Sequence, residues 1–330
     1  MRLLPSLATT VLLSTSLLAQ SNPLVIAHRG ASGYLPEHTL AAATLAYQQG
    51  ADYLEQDLVL SKDGVPVVLH DIHLDTVTNV EQVFPGRHRA DGRYYVIDFT
   101  LAELKQLHVH ERQSVDGQQV FPDRWQGVSP FTIATFEEHL ALRDQLQRQL
   151  GRTVGIYPEI KSPAWHREQG QDISSIVLSI LRKHGLDNAS APVFIQCFDF
   201  AETQRLRRDL GVKAKLVQLL GENDWQESAT DYDRLKTTEG LKRIAEVADG
   251  IGPWLPQIVD VNTLAPTGLV KAAHQQGLVV HPYTFRLEQL PQGLDAAQTL
   301  HLLFSSLQVD GVFSDFPDVA VAHRDTLSDD

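Results

Sequence analysis

The sequence predicts an α/β chain folded as a parallel (β/α)8 barrel with a small insertion after the second strand. Three observations carry that expectation. Short Val- and Ile-rich apolar runs alternate with longer stretches of helical pattern about eight times. One stretch, 72–130, interrupts the alternation with polar turns. Polar residues suited to chemistry fall at the ends of the runs, where barrel enzymes assemble their sites.

The chain opens with a segment that does not belong to the barrel. Residues 1–20 carry one positive charge at Arg2, an apolar stretch around Leu12-Leu13 and Leu17-Leu18, and small Ala19 near the end. That order predicts a secretory signal, hence export to the periplasm of a mature domain spanning 21–330. The apolar stretch is too short and too rich in Ser and Thr for a membrane span.

The expected strands are 24–27, 53–60, 153–160, 193–198, 214–220, 250–252, 278–283 and 311–313. The sixth is the weakest, because Gly252-Pro253 cuts it short. The expected helices are 39–49, 135–150, 172–184, 201–210, 239–248, 266–276 and 296–307. Lys62-Asp63-Gly64 before 65–69 reads as a hairpin turn that returns the chain to His70. Within the insertion, 101–107 reads as a short helix with Thr100 as its N-cap and Glu103 three residues on. An insertion after the second strand lies on the loop face and overhangs the barrel mouth. No repeat, low-complexity segment or linker divides the chain.

Composition narrows the function. The formal net charge is −13, which disfavours nucleic acid and anionic membrane surfaces as partners. Any phosphate site must therefore be positive locally. A single cysteine, Cys197, cannot form an internal disulfide, and its apolar run 193–198 makes it a buried strand residue. Nothing in the sequence fixes the oligomeric state.

The chemistry gathers near the N-terminus. His28-Arg29-Gly30, Glu37-His38-Thr39, Glu55-Gln56-Asp57 and His70-Asp71 lie close together. Glu55 and Asp57 are i and i+2 on a strand, so they point to one side. Two inward carboxylates are too costly to bury bare, and either a divalent cation or an arginine would offset that cost. Glu159 ends the third strand and adds an oxygen donor for a hard cation. Lys161 beside it and the guanidinium of Arg29 suit a phosphate, with Gln196 near the end of the fourth strand. Plain ion pairs compete with both assignments: Glu159 with Lys161, and Arg29 with Glu37 or Glu55. His28 and His70 can move protons near neutral pH. His38, His73, His88, His108, His110 and His139 have no such placement and read as surface or core residues. Together these residues suggest metal-assisted cleavage of a phosphate ester.

With Tyr157-Pro158-Glu159-Ile160-Lys161, Gln196-Cys197-Phe198-Asp199, His281-Pro282-Tyr283-Thr284 and Asp315-Phe316-Pro317-Asp318 added, the set resembles the glycerophosphodiester phosphodiesterases, specifically the bacterial periplasmic type. The resemblance implies a TIM barrel with an inserted small domain. It implies hydrolysis of glycerophosphodiesters, the deacylated phospholipids, to glycerol 3-phosphate and an alcohol. It further implies Glu55, Asp57 and Glu159 as ligands of Ca2+, with Mg2+ as the alternative, and His28 and His70 as catalytic residues. Cleavage of lysophospholipids or of teichoic-acid polymers on the same barrel and non-catalytic capture of glycerophosphodiesters are the competing expectations.

Overall fold

Eight parallel strands form a nearly closed barrel in the computed structural model, which describes residues 22–327. The expected signal, 1–20, lies outside the described residues. In chain order the strands are β1 (Leu24–Ala27), β2 (Tyr53–Leu60), β3 (Pro66–Val68), β4 (Gly155–Ile160), β5 (Phe194–Cys197), β6 (Lys215–Leu220), β7 (Gly250–Pro253), β8 (Val279–Val280) and β9 (Gly311–Ser314). Hydrogen-bonded neighbours run β8-β7-β6-β5-β4-β2-β1-β9, and β3 lies off this path, paired antiparallel with β2. The last gap is bridged beyond β8. The Asp310 amide donates to the Val280 carbonyl at 3.0 Å, and Phe285 pairs with Ser314 in parallel register.

Among the described residues, the main helices that cover the barrel are α1 (Leu40–Gln48), α2 (Phe136–Leu150), α3 (Ile173–Lys183), α4 (Phe200–Arg208), α5 (Thr238–Ala245), α6 (Leu269–His274), α7 (Ala296–His301) and α8 (Pro317–Thr326). Their starts follow local chemistry. The Thr135 hydroxyl accepts the Glu138 amide at 3.1 Å while Glu138 accepts the Thr135 amide at 2.7 Å. This reciprocal cap satisfies two amides that a helix start leaves unpaired. Asp199 caps α4 in the same spirit, accepting amides of Ala201 and Glu202. The apolar faces of these helices bury against the outer face of the sheet, while Ile26, Tyr157, Phe194, Val217 and Phe313 fill the barrel interior.

Two expectations needed correction. The weak barrel strand is the seventh, β8, with only two residues, because the chain leaves ladder pairing at Pro282. The sixth, β7, holds four registered pairs with β6, and Pro253 sits at its end, where its carbonyl accepts the Tyr283 amide at 3.0 Å. A proline is tolerated there because only its missing donor is affected. The second correction is α8, absent from the expected helices. Pro317 occupies its first turn, where a missing N–H is harmless.

Residues between β3 and α2 have a core of their own. Leu74, Val77, Val80, Tyr94, Val96, Phe99, Leu104, Leu107 and Val109 pack together and onto Val59, Val67 and Leu69 of the β2–β3 hairpin. The helix within this segment is shorter than expected, Leu101–Leu104, and carries the full Thr100/Glu103 capping box. Cys197 is buried in β5. Among the described residues no helix is long and apolar enough to cross a membrane.

Candidate active site

Strand register builds the floor of the site. Asp57 of β2 pairs with Glu159 of β4, and Glu159 pairs with Gln196 of β5. These three side chains therefore form one row across neighbouring strands, about 4.8 Å apart from strand to strand. Glu55 lies two residues before Asp57 on the same face. All four are buried. They open into a cavity of about 220 Å3 at the strand C-termini, which His28, Arg29, His70 and Arg286 also line. The opposite wall is aromatic. Trp225 and Trp254 meet edge to face at 5.1 Å, with Phe198 and Tyr283 beside them.

The loop between β1 and α1 closes over this row in an unusual backbone shape. Arg29 and His38 both have positive φ, at 58° and 62°. Residues with side chains rarely hold such angles, and the surrounding bonds must enforce them. The Arg29 amide donates to Glu55 at 2.7 Å, and the His38 amide donates to the Arg29 carbonyl at 2.9 Å. Gly30 is required next to them, because a Cβ there would stand 2.7 Å from the Ala42 carbonyl carbon of α1.

His38 is the residue that sequence reasoning set aside and the structure brings in. Its Nε2 lies 2.8 Å from Asp57, and His38, Glu55 and Asp57 offer donor atoms all within 4.8 Å of one another. Its spacing from Glu37 gave no hint of this, since only the strained turn at His38 aims the ring inward. Both expected ion pairs are present as well. Lys161 Nζ lies 2.9 Å from Glu159, and Arg29 lies 3.0 Å from Glu37 and 3.5 Å from Asp57. Arg29 still faces the cavity, whereas Lys161 sits behind Glu159.

The donor set fits a hard divalent cation. Burial and the neighbouring Asp57 charge push Glu55 well above the usual carboxylate range. Glu159 is pushed up in the same way by burial and Asp57, even with Lys161 alongside. Burial also opposes ionisation of Asp57, but His70, His38 and Lys161 outweigh it and hold this carboxyl well below its usual range. Three clustered carboxyls of which two resist ionisation lack positive charge. A divalent cation supplies it with oxygen ligands of the preferred kind.

Each of the two expected proton carriers rests on a carboxylate. His28 Nδ1 lies 2.6 Å from Asp315, which follows β9, and His70 Nδ1 lies 2.6 Å from Asp71. Burial, then the Arg29 charge, pushes His28 down to about 3. Burial, Arg29 and Lys161 likewise lower His70. With Nδ1 committed to a carboxylate, Nε2 is the nitrogen left to exchange a proton.

Glu111, between these two histidines' supports, gives a separate expectation. It is buried, with Oε2 unpaired, and burial together with the Glu37 charge pushes it up to about 7. The folded protein thus holds a proton that the unfolded chain has lost between about pH 4.5 and 7. Stability from this group is present below that window and falls as pH rises through it. Glu111→Gln removes the effect. Urea midpoints at pH 5 and pH 8 should show the variant losing less stability than the unmodified protein, by on the order of 1–3 kcal/mol. Equal losses would contradict the assignment.

Comparisons with known proteins agree with this geometry. The model of the glycerophosphoryl diester phosphodiesterase family matches residues 28–319. A glycerophosphodiester phosphodiesterase of Haemophilus influenzae is 42% identical over 92% of this chain and 90% of its own, and one of Treponema pallidum is 36% identical over 91% of each. Among solved structures, one from Silicibacter pomeroyi superposes with a TM-score of 0.70 at 25% identity, covering 92% of this chain and 94% of its own. A phosphodiesterase of Oleispira antarctica, solved with its product sn-glycerol-3-phosphate, superposes at 0.62 with 24% identity, covering 92% of this chain and 97% of its own. The chain belongs to the glycerophosphoryl diester phosphodiesterase family.

Proposed function

We propose that this protein is a metal-dependent glycerophosphodiester phosphodiesterase that releases glycerol 3-phosphate and an alcohol from deacylated phospholipids. The observation that carries the reading is the convergence of Glu55, Asp57 and Glu159 in one cavity with two carboxylate-backed histidines. Glu55, Asp57 and Glu159 would hold the cation, Ca2+ by preference and Mg2+ as the alternative. Bound there, it places positive charge at the phosphate oxygens and acidifies a neighbouring hydroxyl.

The chain's own groups do the rest. Arg29 faces the cavity and offers a planar fork to the phosphate once Glu37 shares it. Gln196 adds an amide from β5, and Lys161 sets the charge behind Glu159. One of His28 and His70 takes the proton of the attacking hydroxyl at Nε2, and the other, already protonated at Nε2 and backed by its carboxylate, gives that proton to the departing alcohol. The aromatic wall of Trp225, Trp254 and Tyr283 keeps one side of the cavity apolar and limits water there. The expected signal at 1–20 supports export to the periplasm as the setting for this activity.

A capture protein would need the phosphate contacts but not two imidazoles with orienting carboxylates. A coupled assay separates the possibilities. Purified protein with calcium and glycerophosphocholine should generate glycerol 3-phosphate catalytically, many equivalents per protein. Binding of the diester without product would overturn the enzyme reading.

A further inference from the structure

We propose that Arg112 and Arg124, both from the segment between β3 and α2, are positioning residues that lock the carboxylates behind the two catalytic imidazoles. The proposal rests on the assignment of His28 and His70 above. It makes that segment part of the proton-transfer apparatus rather than a cover over the cavity.

The two arms have the same construction. Asp315 gives Oδ1 to His28 and Oδ2 to Arg124 at 2.7 Å, with Arg286 at 2.8 Å on the same oxygen. Asp71 gives Oδ1 to His70 and Oδ2 to Arg112 at 2.6 Å. In each arm one carboxylate oxygen holds the imidazole and the other holds a guanidinium. The carboxylate cannot turn without breaking a charge-assisted bond.

Each arginine is itself fixed by a second carboxylate. Arg112 forks onto Glu37 through Nε at 2.9 Å and a terminal nitrogen at 2.6 Å, and Glu37 also takes Arg29. Arg124 forks onto Glu288 at 2.7 and 3.2 Å, and its guanidinium lies 3.8 Å from the Phe121 ring centre. Arg124 is buried, and Arg112 is largely so. Supporting groups of this kind orient a reactive imidazole, and losses of ten- to a hundredfold follow their removal from comparable sites. A small displacement of a proton carrier is costly because the transfer needs near hydrogen-bond geometry.

The test compares Arg112→Gln and Arg124→Gln with His28→Ala and His70→Ala, on glycerophosphocholine and on the p-nitrophenyl diester of glycerol phosphate. The p-nitrophenolate leaves without a proton. Each folded arginine variant should lose ten- to a hundredfold in kcat on glycerophosphocholine, with KM within about threefold. The variant in the arm that protonates the alcohol should recover on the p-nitrophenyl diester, and the other should not. Loosened structure alone would lower both substrates equally in both variants, and that result overturns the proposal. A folded variant with unchanged kcat overturns the role of that arginine. Should either glutamine variant fail to fold, Arg→Lys keeps the charge but lacks the planar fork that fixes the carboxylate's angle, and the same substrate pattern is expected of it. Wild-type rates in the histidine variants would instead overturn the acid–base assignment itself.

Discussion

Asp57→Asn is expected to lower kcat/KM by about a thousandfold or more and to abolish the rise in Tm that calcium is expected to give the unmodified protein. Asp57 occupies the middle of the floor. It is in register with Glu159, lies 2.8 Å from His38 and stands two residues from Glu55. It is also the member of the three held firmly ionised, by His70, His38 and Lys161 against the push of burial. Its charge is the one already in place when a cation arrives. Asparagine keeps the shape and one oxygen but loses the charge that would face the ion. Lewis-acid stabilisation is worth several kcal/mol, and each 1.4 kcal/mol is tenfold in rate. A ligand that binds only the folded form raises Tm by mass action. The calcium-dependent shift should therefore vanish together with the activity, in steady-state assays and thermal melts of the same preparations. A variant that keeps the shift but loses turnover would mean that Asp57 serves substrate rather than cation.

The second large effect is at the histidines. His28→Ala and His70→Ala should each lower kcat on glycerophosphocholine by about 10²–10⁴ while the protein still binds calcium. Burial and nearby cations lower both rings. Both commit Nδ1 to a carboxylate. A ring held in this way exchanges protons at Nε2: without a proton there it serves as the base, and with one it serves as the acid. Single-turnover measurements on a p-nitrophenyl diester and on glycerophosphocholine distinguish the two roles, because only the alcohol diester needs a proton on its leaving group. Near-normal turnover in either variant would remove that histidine from the mechanism.

The sequence revealed most of the barrel because its period is strict. The runs 24–27 and 53–60 coincide with β1 and β2, and the polar residues at run ends lie where parallel strands present them. Register was legible only in part. Glu55 and Asp57 share a face by alternation, but the pairing of Asp57 with Glu159 is set by how β4 slides along β2, which no local pattern encodes. β8 was overestimated because 278–283 is apolar throughout, while ladder pairing lasts only two residues. His38 was missed because its role depends on a positive-φ turn. Arg112 and Arg124 were out of reach for a different reason. Their partners Asp71, Glu37, Asp315 and Glu288 are 41 to 191 positions away, and an arginine in a polar turn looks the same whether it is solvated or folded back onto a carboxylate.

The account stands most directly on metal removal. Purified protein should be treated with excess EDTA, freed of chelator, checked for residual metal, and assayed for glycerol 3-phosphate release from glycerophosphocholine before and after calcium is added. Loss of at least nine-tenths of the activity on removal, with recovery on calcium addition, is expected on the order of the Lewis-acid contribution. Full activity in a metal-free sample would contradict the convergence of Glu55, Asp57 and Glu159 on a cation as the basis of catalysis.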